Sequence, residues 1–332
     1  MAVTRLTNVI VPEVFDPYVS THTKTKSAIF ESGVLAPSEK LSNDLAGGGT
    51  TFQAPAWNDL TDTESGIASD DPSTSATPDN ITAFKASCIR QVRTQGWSDA
   101  DLVSQLAGSD PMTEIGGKVA GYWRRQYQSI LVNTLRGVFA DNIANDSGDM
   151  VYDATTASGA FSTSMCAENI IECKQTMGDA SDGLALIIMH SRMYSNLQRQ
   201  NLIDFIPNSD GQIMFPTYLG YRVVQDDQCP IVSTKYYTFL LAPGSVGWAE
   251  YAVDVPVETY RYPAKGNGAG VEELWTRKQF VMHPTGFHWA AGSVAGQFPT
   301  NTELRTATNW DRKAPERKQV GMALLITDAT AI

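Results

Sequence analysis

The side chains able to do chemistry are few and poorly grouped. Four histidines occur, and the closest pair, His283 and His288, is five residues apart with Pro284 and Gly286 between. That spacing suits neither two metal ligands one helical turn apart nor a pair mounted on a strand, so both read as turn and strand residues. His190 ends an apolar run just before a helix start, and His22 lies in a Thr-rich stretch. No GxSxG elbow accompanies any of them, so a serine hydrolase has no nucleophile. At Gly117-Lys118 a phosphate-binding loop would need glycine where Met112 stands and Ser or Thr where Val119 stands. The glycines of Gly266-Asn267-Gly268-Ala269-Gly270 have the wrong spacing for a dinucleotide turn and read as a hairpin tip. Adjacent acids such as Asp70-Asp71, Asp226-Asp227 and Glu272-Glu273 read as solvated charge, because neighbours on a strand point to opposite faces. Cys88, Cys166, Cys173 and Cys229 form no CxxC pair, which predicts reduced thiols and no zinc ribbon. No catalytic, cofactor-binding or metal site emerges.

The elements that would have to position such residues are better defined. Asp110-Pro111 places a capping side chain before a proline at the first helical position. From there Ile115, Val119, Tyr122, Trp123, Ile130, Leu131, Leu135, Val138 and Phe139 recur three and four apart, predicting a helix over 110–142. It would be roughly 48 Å long at about 1.5 Å per residue. Gly116, Gly117 and Gly121 weaken it by roughly 1 kcal/mol each relative to Ala, so either another backbone approaches there or the helix bends. Before it, Ser98-Asp99-Ala100-Asp101 and Gly108 bracket a short helix. Helices are also expected over Ser164 to Met177 and Ser191 to Ile203. Strands are expected over Leu184 to Met189, Ile213 to Val224, Tyr236 to Leu241, Val255 to Tyr260 and Leu274 to Met282. The sum is an α+β chain of 332 residues, whose 42% hydrophobic content supports a large core.

Charge supplies the sharpest signal. A net charge of −11 argues against strong nonspecific attachment to nucleic acid. From Leu41 to Phe84 there is no Lys or Arg, while Asp44, Asp59, Asp62, Glu64, Asp70, Asp71 and Asp79 are all acidic. Strand-like residues flank this segment, at Thr50 to Ala54 and at Ile81 to Val92, and its middle is rich in Ser, Thr, Asp and Pro. A loop of that length in a compact domain is functional or disordered. Cations gather elsewhere: Arg124, Arg125 and Arg136 on the long helix, and Arg305, Arg312, Lys313, Arg317 and Lys318 near the C-terminus. The separation suggests complementarity between copies. At the N-terminus an apolar patch, Val9 to Phe15, and the prolines Pro17 and Pro37 read as an extended arm with one short helix. No leader-like apolar run and no membrane-length stretch is evident, so synthesis in the cytoplasm is expected.

Several stretches resemble tailed-bacteriophage coat proteins of the Hong Kong 97-type fold. They are Gly108 to Met112 leading into Val119 to Trp123, Gly137-Val138-Phe139, Met189-His190-Ser191, Leu197 to Ile203, Thr217 to Val224, Arg277 to Pro284 and Asn309-Trp310. The resemblance implies an N-terminal arm at 1–40, an E-loop hairpin at 41–93, and a P-domain at 94–155 carrying the spine helix 110–142. It further implies an A-domain over most of 156–255, with 256–332 returning to the P-domain and carrying the remaining A segments.

On that footing the chain is expected to be a major capsid protein, made in the host cytoplasm and found in the virion. It would form the hexamers and pentamers of an icosahedral head around double-stranded DNA, touched only weakly. A scaffold protein, a portal and a decoration protein are the expected partners, with no membrane and no cofactor. Phe52, Trp57, Leu60 and Ile67 are expected as apolar anchors of the hairpin, with Glu64, Asp70 and Asp71 meeting cations of a neighbouring copy. Arg124, Arg125, Arg136, Arg312, Lys313 and Arg317 are the candidate cations. Some capsids of this fold crosslink through an E-loop Lys, and none stands between Leu41 and Phe84, so cohesion is expected to be noncovalent. The alternatives are an encapsulin-like compartment shell and a soluble α+β enzyme with a dispersed site.

Overall fold

A computed structural model describes residues 28–29, 32–60, 63–68, 70–73, 75–107, 110–156, 162–200, 203–207 and 213–328. The patch Val9 to Phe15, His22, Asp62 and Gly108 lie outside them, as do residues 201 and 202; the helix expected over Ser191 to Ile203 ends at Arg199.

The long helix runs Pro111–Asn145, about 52 Å at 1.5 Å per residue. It starts as its sequence dictates: the Asp110 carboxylate accepts from Met112 N at 3.0 Å, and Pro111 needs no donor in the first turn. The first third is largely exposed. From Trp123 onward the apolar stripe is buried, with Ile130, Leu131, Leu135, Val138 and Phe139 in the main core.

Two sheets lie against this spine. The five-stranded one is organised by the 14-residue strand Val271–Pro284. One edge of that strand pairs with Gln91–Ala100, and its other pairings are with Val257–Tyr262 and Val246–Tyr251, all antiparallel. Leu35–Pro37 adds in parallel to Val246–Tyr251. Trp123 of the spine donates its indole N–H to Thr276 Oγ1 at 3.1 Å, fixing helix to sheet. The eight-stranded sheet has its most apolar strands, Leu186–Met189, Lys235–Leu241 and Met322–Asp328, side by side. One continuous apolar core reaches both sheets and the helix.

Several elements differ from the sequence expectation for identifiable reasons. The strand expected over Ile213 to Val224 is two strands, Ile213–Tyr218 and Tyr221–Gln225, because Leu219 (φ 50°) and Gly220 (φ 83°) form a two-residue turn with both φ positive. The stretch Ile81 to Val92 breaks at Arg90 into Ala83–Ile89 and the start of Gln91–Ala100, which belong to different sheets. Ser98, Asp99 and Ala100, expected to open a helix, remain in the strand because Val271–Glu273 completes their ladder; the helix is Asp101–Ala107. A helix not anticipated from the sequence, Glu39–Ala46, is capped by Ser38 and lies almost wholly in the segment assigned to the hairpin; most of the arm, where a short helix was expected, lies outside the described residues.

Candidate assembly interface

The acidic segment is a two-stranded hairpin. Thr51–Trp57 pairs antiparallel with Ala83–Ile89 in the register Thr51↔Ile89 to Trp57↔Ala83. The pairing continues one step further, with Asn58 N donating to Thr82 O at 2.9 Å and Asn58 Nδ2 to Thr82 Oγ1 at 2.8 Å. A two-stranded ribbon is marginal by itself, so its base must be held. Arg90 donates to Leu45 O at 2.6 Å, and the His288 ring accepts the Ser87 amide at Nδ1 at 2.9 Å. Lys40 reaches Pro55 O at 3.3 Å.

Phe52 belongs to this base. It packs on a small separate core of Leu41, Leu45, Cys88, Ala249 and Val281, so its ring serves its own chain rather than the free part of the hairpin. The other three expected anchors lie beyond the base: Trp57 is 72% exposed, Leu60 69% and Ile67 91%. Glu64, Asp70 and Asp71 are exposed with them. Asp71 accepts from Ser73 N at 2.9 Å and Ser73 Oγ at 2.7 Å, which holds its carboxyl below the usual range. Thr63 bonds Asp79 at 2.8 Å, joining the two sides of the tip.

The candidate cations separate into two groups. Arg312 is engaged inside the chain: its side chain is 12% exposed and meets Asp149 at 2.8 Å and Asp146 at 3.5 Å, tying the C-terminal region to the end of the spine. Lys313 pairs with Asp311 at 2.5 Å. Arg317 starts a single 3₁₀ turn, Arg317–Gln319, and is half-buried. Arg124 is exposed on the spine helix, while Arg125 and Arg136 are half-buried along its flank. Burial and the neighbouring Arg305 charge both hold the Arg136 guanidinium below its ordinary pKa.

Elsewhere the titratable groups have structural tasks. His283 is buried, its Nε2 is 2.8 Å from Phe287 O, and burial pushes its pKa down to about 4. His190 caps the helix Ser191–Arg199, accepting from Arg192 N at 3.1 Å. Asp226 is buried and accepts from Gln128 Nε2 at 2.7 Å, Gln228 N at 2.8 Å and Ala28 N at 3.2 Å, joining spine, turn and N-terminal segment. All four cysteines are unpaired. Among the described residues no group of three His, Cys, Asp or Glu could hold a metal ion, and no helix is long and apolar enough to cross a membrane. Sequence reasoning missed the groups that fix the hairpin's base, Lys40, Arg90 and His288, because each acts through a backbone group distant in sequence.

A long spine helix, a sheet laid on it, a second mixed sheet and a protruding hairpin define the Hong Kong 97-type shell fold. The capsid asymmetric unit of cyanophage Pam1 is similar with a TM-score of 0.62 over 98% of each chain, at 10% identity. The SrpI encapsulin complex of Synechococcus elongatus is similar with a TM-score of 0.55, over 96% of this chain and 94% of that one, at 11% identity. Within that class, the family model for Gp13-like major capsid proteins matches residues 112–322, and the major capsid protein of Bacillus phage SPP1 is 38% identical over 327 residues, 96% of each chain. The chain belongs to the Gp13-like family of phage major capsid proteins, virion components that assemble into a multi-subunit shell.

Proposed function

We infer that this chain forms the hexamers and pentamers of an icosahedral phage head around double-stranded DNA, and that the hairpin is the part that reaches a neighbouring copy. The observation carrying this is the exposure of Trp57, Leu60 and Ile67 on a ribbon whose base is held by Arg90 and His288. Burying each of these side chains against another copy contributes about 1.5–3 kcal/mol, and repetition around a closed shell multiplies a modest contact. In this reading the spine helix with the five-stranded sheet forms the P-domain and the eight-stranded sheet the A-domain. The chain's role is structural and not catalytic.

No Lys lies between Leu41 and Phe84, and the hairpin's Lys85 sits in the paired strand opposite Pro55, so in this reading contact through the tip is noncovalent. The net charge of −11 suits a wall that holds packaged DNA weakly. A separate scaffold protein, a portal and a decoration protein complete the head. The encapsulin likeness supports a shared fold, while the 38% identity to a phage capsid protein favours the phage head over a cargo compartment.

Deleting residues 58–80 tests the reading. The truncated subunit is expected to keep the melting temperature of the full chain and to form few or no particles in electron micrographs. Normal particles from the deletion would overturn it.

A further inference from the structure

The hairpin is seated on its own chain through two kinds of contact, and one of them depends on the charge of a single ring. Phe52 packs on Leu41, Leu45, Cys88, Ala249 and Val281, and Arg90 donates to the Leu45 carbonyl; a guanidinium keeps its charge at any working pH. The other contact is the Ser87 amide, which points away from Thr51–Trp57 and donates to His288 Nδ1 at 2.9 Å. A strand amide there ordinarily meets a carbonyl of the next strand, and here an imidazole nitrogen takes its place. Only the neutral ring accepts at Nδ1, with its proton on Nε2; the imidazolium has two donors and no acceptor. Protonation therefore removes the acceptor and turns an N–H toward the Ser87 N–H. The backbone under the ring is pinned, since Phe287 and Trp289 are buried on either side and Phe287–Trp289 pairs with Trp310–Arg312.

We propose that His288 is an acid-sensitive latch on the hairpin: neutral, it fixes the direction in which the hairpin leaves the body through the Ser87 amide; protonated, it frees that edge, and the hairpin pivots about Phe52 and Arg90. The latch lies within one chain and stands whether or not the tip reaches a neighbour. The charges around the ring leave it free to switch. Asp311 is directly opposite His288 across the strand pair and is itself paired with Lys313, while Arg312 is turned to Asp146 and Asp149. His283, at the end of Val271–Pro284, is neutral above about pH 4. On the hairpin, Thr51–Trp57 carries no charge and Ala83–Ile89 carries only Lys85, which is exposed. Lys40 and Asp44 act on Cys88, which neighbours Ser87 and so faces the opposite side of the strand. Burial, first, and Lys313 hold the His288 pKa below the ordinary 6.5, against the pull of Asp311. The latch is thus fully closed above about pH 6.5 and opens as pH falls through the lower value of the folded chain.

Amide hydrogen exchange of the full chain, resolved residue by residue from pH 8 to pH 4 and corrected for the intrinsic pH dependence of exchange, tests the latch. Protection of the Ser87 amide should fall by about fivefold or more across that range, the worth of one hydrogen bond. Amides bonded between Thr51–Trp57 and Ala83–Ile89 should keep theirs, because the hairpin swings without melting. His288→Asn sets an amide oxygen where Nδ1 stands and does not titrate, so its Ser87 protection should stay high throughout. His288→Ala should be low throughout, with a melting temperature at pH 8 close to that of the wild type. Ser87 protection in the wild type that is constant down to pH 4 overturns the proposal. So does an equal fall in His288→Asn, which would assign the effect to another group such as Asp141 or His283. Identical protection in the Asn and Ala variants, or simultaneous loss across both hairpin strands, overturns it as well. The outcome is independent of the 58–80 deletion, whose normal assembly would sink the reading of the tip and leave the latch standing.

Discussion

Gly116 and Gly137 lie on the same helix, about six turns apart, and their surroundings are opposite. A Cβ at Gly137 would run into the Leu304 carbonyl oxygen and the Trp310 indole, while one at Gly116 or Gly117 would meet nothing within 4 Å. The rear of the spine is buried in the core, and its glycine is required by the loop that crosses it. At the front, Thr113, Glu114 and Lys118 are exposed, and the Glu114–Lys118 pair at 3.5 Å is a surface i,i+4 contact. Its glycines cost helix stability with no packing return inside the chain. The same residue type is therefore accounted for by this chain's own packing in one place and not in the other.

The largest expected effect lies at the rear. Gly137→Ala forces apart the spine and the Leu304 loop, where Trp310 Nε1 donates to Leu304 O at 2.7 Å. A loss of about 3 kcal/mol is expected, seen as a lower denaturation midpoint or poor soluble yield. An unchanged midpoint would mean that the loop can yield and that the contrast between the two ends is superficial.

Next in size is Asp141, buried near the end of the same helix with Asn145 Nδ2 donating to it at 2.6 Å. Burial, first, and the charges of Asp146 and Asp311 raise its pKa from 3.8 to about 6. The folded state thus holds this proton more tightly than the unfolded chain. The resulting stability is complete below about pH 4 and is lost as pH rises through about 6. At pH 8 the buried charge costs on the order of 2 kcal/mol, so Asp141→Asn should raise the melting temperature there and have little effect at pH 4. His283 works in the opposite sense: its pKa falls from 6.5 to about 4, so its contribution is lost as pH drops through that window. The informative quantity is therefore the difference between variant and wild type across pH. A gain that is equal at pH 4 and pH 8 would show that Asp141 acts through shape and not charge.

What could be read from sequence follows the range of the forces involved. The spine was legible because its cap, its proline and its three-and-four spacing are all local, and Pro111–Asn145 departs from the expectation by only a few residues at its C-terminal end. The family resemblance was legible for a similar reason: Val119 to Trp123 and Arg277 to Pro284 are contiguous words. The strand Met322–Asp328 was not anticipated, although Met322 to Ile326 are all in the core between Lys235–Leu241 and Val151–Asp153. A short, continuous apolar run has no period to declare its state, and the partners that make it a strand lie far back in the chain. In the hairpin, charge and exposure were legible at Trp57, Leu60 and Ile67, but composition could not show that Phe52 turns back onto Leu41 and Leu45. The pairing of Arg312 with Asp146 and Asp149 within the chain was illegible for the same reason, since both are far from it in sequence.

A smaller effect is expected at the front of the spine. Gly116→Ala should stabilise the unassembled subunit by roughly 1 kcal/mol, because alanine gains helix propensity and its methyl group meets open space. The denaturant midpoint of the dissociated chain is the measurement. Destabilisation would mean that the front packs more tightly than its exposure indicates, and the comparison with Gly137 would collapse.

The smallest effect on the lone subunit is expected from Trp57→Ala, and it sharpens the comparison most. Trp57 ends a hairpin strand, opposite Ala83, with 72% of its surface exposed. Its removal leaves the anchors at the base, Arg90 to Leu45 and His288 to Ser87, untouched. A surface substitution away from such features changes stability by about 0.5 kcal/mol or less. The same indole buried against another copy is worth several times more, so particle yield should fall while the denaturant midpoint stays in place. Gly137→Ala should do the reverse, lowering the midpoint first and assembly only as a consequence. If Trp57→Ala lowers the midpoint by 1 kcal/mol or more (roughly twice the surface norm), the indole is serving its own chain as Phe52 does, and the hairpin has no apolar face to offer a neighbour.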